Sequence, residues 1–312
     1  MNPAFSVIFF TTLSGAGFGA WAWLGLRIAL GAPPQDFQAL GWILLLFYAG
    51  IAAAAGLLAS FWHLGKPLRA WRAFSQWRTS WLSREGVLAV ASFVPAAALF
   101  VLLGDVHPAG ISTATRVAAG LLALLSIATI CCTAMIYASL KPIPAWRHRL
   151  VVPGYLLFAL LTGGLPMLLS TRPGAHGLDG ALPFALAAIA VLLCLLKLAY
   201  WRDIDQAPLP QTRGDAIGLP GRKPSVFERP HTEANYITRE MAFAVARNHA
   251  RALRLVAVLL FAGVPLLGLL LAWGQPASGW AIPVMAVGAL TGAFLERWLF
   301  FAQARHMVTL YY

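Results

Sequence analysis

The sequence predicts an all-α, polytopic membrane bundle of about eight transmembrane helices, and three observations carry that expectation. Of the 312 residues, 60% are hydrophobic and only 11% are charged, and the mean hydropathy is +0.73, above the balance of a soluble globular domain. Apolar runs of the ~20 residues needed to cross ~30 Å of hydrocarbon recur between short polar breaks. The runs lack the alternating polarity of a barrel strand, so helices must satisfy the backbone in lipid.

The first span runs from Phe5 to Leu30. Its opening, MNPAFSVIFF, has no positive stretch of the kind that begins a secretory leader. Ala20 and Ala22 form an AxA pattern, but apolar residues continue to Leu30, so the segment reads as a retained helix. The second span is Gln38 to Trp62. The small-residue blocks GAGFGA (15 to 20) and AAAAG (52 to 56) permit close helix approach, which matters because lipid supplies no hydrophobic drive between helices. The third to sixth spans are Gly86 to Gly104, Thr113 to Leu140, Leu150 to Ser170 and Ala181 to Tyr200; Leu253 to Trp273 and Trp280 to Phe301 complete the set. Trp62, Trp146, Trp201, Trp273 and Trp280 fall at the predicted ends, where an amphipathic ring suits the headgroup region.

Two loops stand out. Residues 63–84 place Leu68, Trp71, Phe74, Trp77 and Trp81 every three or four positions beside Lys66, Arg69, Arg72 and Arg78, the pattern of an amphipathic helix in the headgroup plane. It reads as one wall of a pocket opening to lipid, as a basic surface for an acidic partner or anionic lipids, or as a plain interfacial anchor. Residues 201–251 carry Pro208, Pro210, Pro220, Pro224 and Pro230, followed by TEANYITREMAFAVARNHARALR, whose apolar spacing predicts a helix running into the seventh span. This loop is either a docking surface or a solvated linker.

The net charge of +12 has an explanation other than nucleic-acid binding. Eighteen lysines and arginines fall in the 63–84, 141–149 and 201–254 segments and after Phe301. Only Arg116 and Arg172 fall on the other side. By the positive-inside rule, both termini and the three basic loops face the cytoplasm of a bacterial inner membrane. Cys131, Cys132 and Cys194 lie in apolar runs without CxxC spacing and read as packing residues, and no facing pair of intramembrane histidines offers a haem site.

Ionisable groups near the spans are the informative ones, since each costs ~2.5–3.5 kcal/mol at a helix centre. His63 closes the second span in SFWHLGKP and Glu85 opens the third in WLSREGVL, so both belong at one membrane edge and can face each other. An imidazole exchanges protons near neutral pH, and a helix N-terminus favours a charged carboxylate. The pair therefore suits proton-coupled chemistry at a quinone, or is simply an interfacial pair. Glu296, about a turn and a half from the end of the last span, suits proton exchange or, better, an ion pair with Arg297 or Lys197.

The stretches MNPAFSVIFFTTLSGAGFG, FWHLGKPLRAWRAFSQWRTSWLSREGVLA and ERWLFFAQARHMVTLYY resemble the membrane-anchor subunits of the dimethyl sulfoxide reductase type, of the complex iron–sulfur molybdoenzymes. The resemblance spans the chain. It implies eight helices without haem and partners that hold the other redox groups, namely an iron–sulfur subunit and a molybdenum catalytic subunit. It also implies a quinone site, for ubiquinone or menaquinone, at His63 and Glu85. Arg69 and Trp81 are expected beside it, and Lys66, Arg72 and Arg78 are expected to dock the partner. One departure matters: respiratory dimethyl sulfoxide reductases present this loop to the periplasm, whereas five basic residues between His63 and Glu85 place it inside. The orientation looks like that of anchors in sulfite-oxidising complexes, in which electrons pass from sulfite to quinone. The alternatives are a quinol-oxidising anchor, a secondary transporter and a passive tether.

Overall fold

The computed structural model describes residues 4–31, 36–104, 111–170, 181–207, 209–225, 227, 249–273 and 280–310. Among them are eight helices long and apolar enough to cross a membrane, and no strand. They are α1 (Phe5–Leu30), α2 (Asp36–Ala59), α3 (Trp81–Gly104), α4 (Thr113–Ala138), α5 (Val151–Gly164, whose span continues to Leu169), α6 (Ala181–Gln206), α7 (Ala250–Ala272) and α8 (Ala281–Ala302). The interior is apolar, built on Trp21, Trp42, Phe18, Phe261 and many leucines, and the outer face is apolar as well. Leu44, Ile51, Val94 and Leu270 point outward, while Thr11, Ser14, Ser92, Ser126, Thr129 and Thr162 lie inside.

α1 is the hub, packed on α2, α4 and α5. Its glycines make that possible, because a Cβ on Gly17 would lie 2.6 Å from Ala49 O of α2 and one on Gly19 would lie 1.9 Å from Ala159 O of α5. Two tryptophans on the same helix spend their N–H groups on neighbouring carbonyls: Trp21 Nε1 donates to Leu46 O at 3.0 Å and Trp23 Nε1 to Leu160 O at 2.8 Å. A bond of that kind is strong where no water competes. Several interior hydroxyls bond within their own helices, as Ser14 to Phe10 O and Thr162 to Phe158 O, whereas those of Thr12 and Ser126 have no partner among the described residues.

Several expected boundaries move, each for a local reason. α3 begins at Trp81 rather than Gly86, because Ser80 Oγ accepts the Ser83 N–H at 3.4 Å and caps the helix a turn earlier. α6 runs to Gln206 rather than stopping at Tyr200, so the first residues of the 201–251 loop are helical. α5 tightens into a 3₁₀ turn at Leu165–Ser170, where Pro166 has no N–H to give. α7 carries a π turn at Leu259–Gly263 just before Pro265. The helix expected over residues 232–254 lies outside the described residues as far as 248.

The tryptophan belt also needs correction. Trp62, Trp273 and Trp280 are exposed at span ends, but Trp146 and Trp201 are 5% and 4% exposed and belong to the core. Trp146 Nε1 donates to Phe300 O at 3.1 Å and its ring stacks on Phe300, so it ties the α4–α5 loop to α8. Met307 N–H to Pro142 O and Arg213 to Leu310 O complete a tie of the 139–150 loop, the 209–225 segment and the chain's tail at one end of the bundle.

Candidate functional site

The segment between the second span and Trp81, where α3 begins, is not α-helical. A 3₁₀ turn, Ser60–His63, closes the second span, and a 3₁₀ helix, Pro67–Gln76, follows. The sequence explains the tighter winding. Leu68, Trp71, Phe74 and Trp77 are spaced by three, as are Lys66, Arg69 and Arg72, and three residues per turn align each set in a straight stripe. The apolar stripe is open, with Leu68 93% and Trp71 65% exposed. Lys66, Arg69, Arg72 and Arg78 are exposed too. The guanidinium groups of Arg72 and Arg78 lie over the rings of Trp71 and Trp77, 5.6 and 5.7 Å from the ring centroids.

Glu85 sits on the opposite, inner side. It is 4% exposed and begins a buried stripe with Ala89, Ser92, Ala96, Leu99 and Leu103, the spacing that turns one face of α3 toward α4. Because the helix starts at Trp81, the carboxyl lies a full turn inside it, past the first-turn reach of the helix dipole expected from sequence. Its Oε1 has no hydrogen-bond partner among the described residues. Cys132 and Tyr137 of α4 are within electrostatic reach. Trp81 opens the helix half-buried, under the Arg84 guanidinium at 4.4 Å. The backbone of His63 ends the turn that leads into the segment; its side chain, and so the expected meeting with Glu85, lies outside the described residues.

Glu296 is held as the ion-pair expectation has it. Lys197 Nζ contacts Oε1, and Arg297 Nη1 lies 3.1 Å from Oε2. All three side chains are buried. The cations are further held by ring faces, Arg297 3.5 Å over Tyr155 and Lys197 4.0 Å over Tyr200. With both oxygens engaged, this cluster joins α6 to α8 inside the bundle.

A well-formed cavity lies elsewhere, about 290 Å³ between the α4–α5 loop, the end of α6 and the start of α7. Arg254 reaches Asp205 with both terminal nitrogens and Gln303 Oε1 at 2.9 Å. His148 Nε2 donates to Asp203 Oδ2 at 3.3 Å, while its Nδ1 accepts the Leu150 N–H at 3.3 Å. Burial lowers the His148 pKa below its ordinary value, with Asp203 pulling the other way, so the contact is a hydrogen bond from a neutral ring near pH 7. Sequence reasoning missed this grouping, since its members come from four separate stretches of chain. The 63–85 corner, by contrast, is an open flank bordered by exposed aromatic and basic side chains.

The match with known proteins covers the chain. The model of the DMSO reductase anchor subunit (DmsC) family matches residues 1–302. The chain belongs to that family. This anchor is also 33% identical to a sulfite dehydrogenase subunit of Allochromatium vinosum over 337 aligned positions, which take in 100% of the chain and 99% of the relative. It is therefore a multi-pass membrane anchor of a molybdoenzyme complex, the arrangement implied by the stretches around His63, Glu85 and Glu296.

Proposed function

We propose that this anchor is the quinone-reactive subunit of a sulfite-oxidising complex, passing electrons from the partner's iron–sulfur clusters to ubiquinone or menaquinone at the corner of His63 and Glu85. The observation that carries the reading is Glu85 Oε1, buried yet without a partner among the described residues, behind an exposed stripe of aromatic and cationic side chains. Leaving a buried acceptor unpaired costs ~1–3 kcal/mol, which favours a donor at this position such as the O–H of a bound hydroquinone. A quinone, when bound, supplies two-electron, two-proton redox chemistry.

The chain's own residues divide the remaining work. The Glu85 carboxyl hydrogen-bonds the ligand oxygen, and the His63 imidazole exchanges a proton with the basic, cytoplasmic side. Arg69 and Trp81 border the ligand. Lys66, Arg72 and Arg78 meet the iron–sulfur subunit, with the 201–251 loop as a second contact. The name of the Allochromatium vinosum relative favours sulfite as the electron source, and the count of eighteen basic residues against two favours cytoplasmic termini in the bacterial inner membrane. The family's description favours a second reading, quinol oxidation in a dimethyl sulfoxide reductase-like complex, which uses the same residues in reverse.

His63→Ala tests the proposal in the assembled complex. Sulfite oxidation with an artificial acceptor that draws electrons from the soluble subunits should be unchanged, while quinone-linked turnover falls ~100-fold or more. Quinone-linked turnover at the unsubstituted rate contradicts the assignment. Turnover only from quinol toward dimethyl sulfoxide selects the second reading.

A further inference from the structure

Glu85 is flanked by two residues that both grip the interfacial segment. Arg84 folds back from α3, its Nε donating to Trp77 O at 2.9 Å and its Nη2 to Arg78 O at 2.5 Å, so it captures the carbonyls at the segment's end. The guanidinium is braced against the Trp81 ring. Gly86 contributes by what it lacks. A Cβ there would stand 2.8 Å from Phe74 Cε1 and 3.3 Å from Phe74 Cδ1, so the ring of Phe74 occupies the space a side chain would take. The three consecutive positions thus have distinct tasks. Positions 84 and 86 hold residues 67–78, and position 85 faces inward between them.

From this arrangement we infer that Arg84 and Gly86 are positioning residues that clasp the 67–78 segment to the first turns of α3, fixing it over the stretch of helix that carries Glu85 and setting how a quinone headgroup enters. The inference rests on the quinone reading for its functional half; the clasp itself rests on geometry alone. Among the described residues the rest of the segment has few other ties, since no residue of Pro67–Gln76 is buried. A 3₁₀ helix ten residues long is longer than its own hydrogen bonds ordinarily sustain, so external ties decide its position. Arginine suits the task because its planar fork presents two donors in fixed positions to two carbonyls, where a lysine offers one flexible point charge.

The test uses Gly86→Ala and Arg84→Gln in the complete complex, with Arg84→Lys as the conservative control. The Phe74 ring can swing away from a methyl group at little cost, so Gly86→Ala should assemble normally. Hydrogen exchange over residues 67–80 should speed up about tenfold in Gly86→Ala and Arg84→Gln, and less in Arg84→Lys. The quinone KM should rise about fivefold with kcat within about twofold, and turnover with the artificial acceptor should stay constant. Phe74→Ala should loosen the segment as Gly86→Ala does, and adding Gly86→Ala to it should change nothing further. Unchanged exchange in both clasp variants overturns the clasp, whatever the quinone kinetics. Faster exchange with an unaltered quinone KM overturns its role at the site. A complex that never reduces quinone, even unsubstituted, overturns the quinone reading and the functional half with it, while the exchange data still judge the clasp.

Discussion

Two carboxylates inside this bundle have opposite circumstances. Glu296 has a cation on each oxygen, whereas Glu85 has an oxygen without a partner among the described residues. A buried carboxylate between two cations is a structural tie, and removing its charge leaves Lys197 and Arg297 facing each other with no countercharge between them. Glu296→Gln should therefore lower stability by ~3–5 kcal/mol, read as a fall in the melting temperature of the detergent-solubilised complex. Retained stability would show that one of the two cations is not charged in the folded protein. The pairing was legible in sequence because Glu296 and Arg297 are adjacent and Lys197 is the lone cation of its span. The Arg84 clasp was not, since its partners are backbone carbonyls, which any residue supplies.

The elements show where periodicity informs and where it misleads. The GAGFGA block predicted close packing, and its glycines are unequal: a Cβ on Gly15 meets Ala159 Cβ at an ordinary 3.9 Å, while one on Gly19 would overlap Ala159 O. Gly19→Ala should force α1 and α5 apart and cost ~1–3 kcal/mol or more, whereas Gly15→Ala should be tolerated; melting of the two variants checks this. Equal melting temperatures would mean that the α1–α5 approach is not as tight as described. The 63–84 segment had a visible stripe, but an α-helical reading of it ignored that the spacing is three throughout Leu68, Trp71, Phe74 and Trp77. Helix ends slipped for similar local reasons. A Ser80 cap is a single side-chain contact, and hydropathy alone does not register it.

For the whole molecule, span number and order followed from hydropathy because lipid forces every crossing segment to be long, apolar and helical. The burial of Trp146 and Trp201 did not follow, since a tryptophan at a span end looks alike in sequence whether it faces headgroups or Phe300. The family match places the chain in a molybdoenzyme complex, and the proposed function turns on one transfer across a subunit boundary. That transfer is best watched directly. In the purified complex carrying Glu85→Gln, sulfite should reduce the partner's iron–sulfur clusters at the unsubstituted rate, and rapid mixing with quinone should then reoxidise them ~100-fold more slowly than in the unsubstituted complex. Reoxidation at the unsubstituted rate would contradict a role for this corner of the anchor in quinone chemistry.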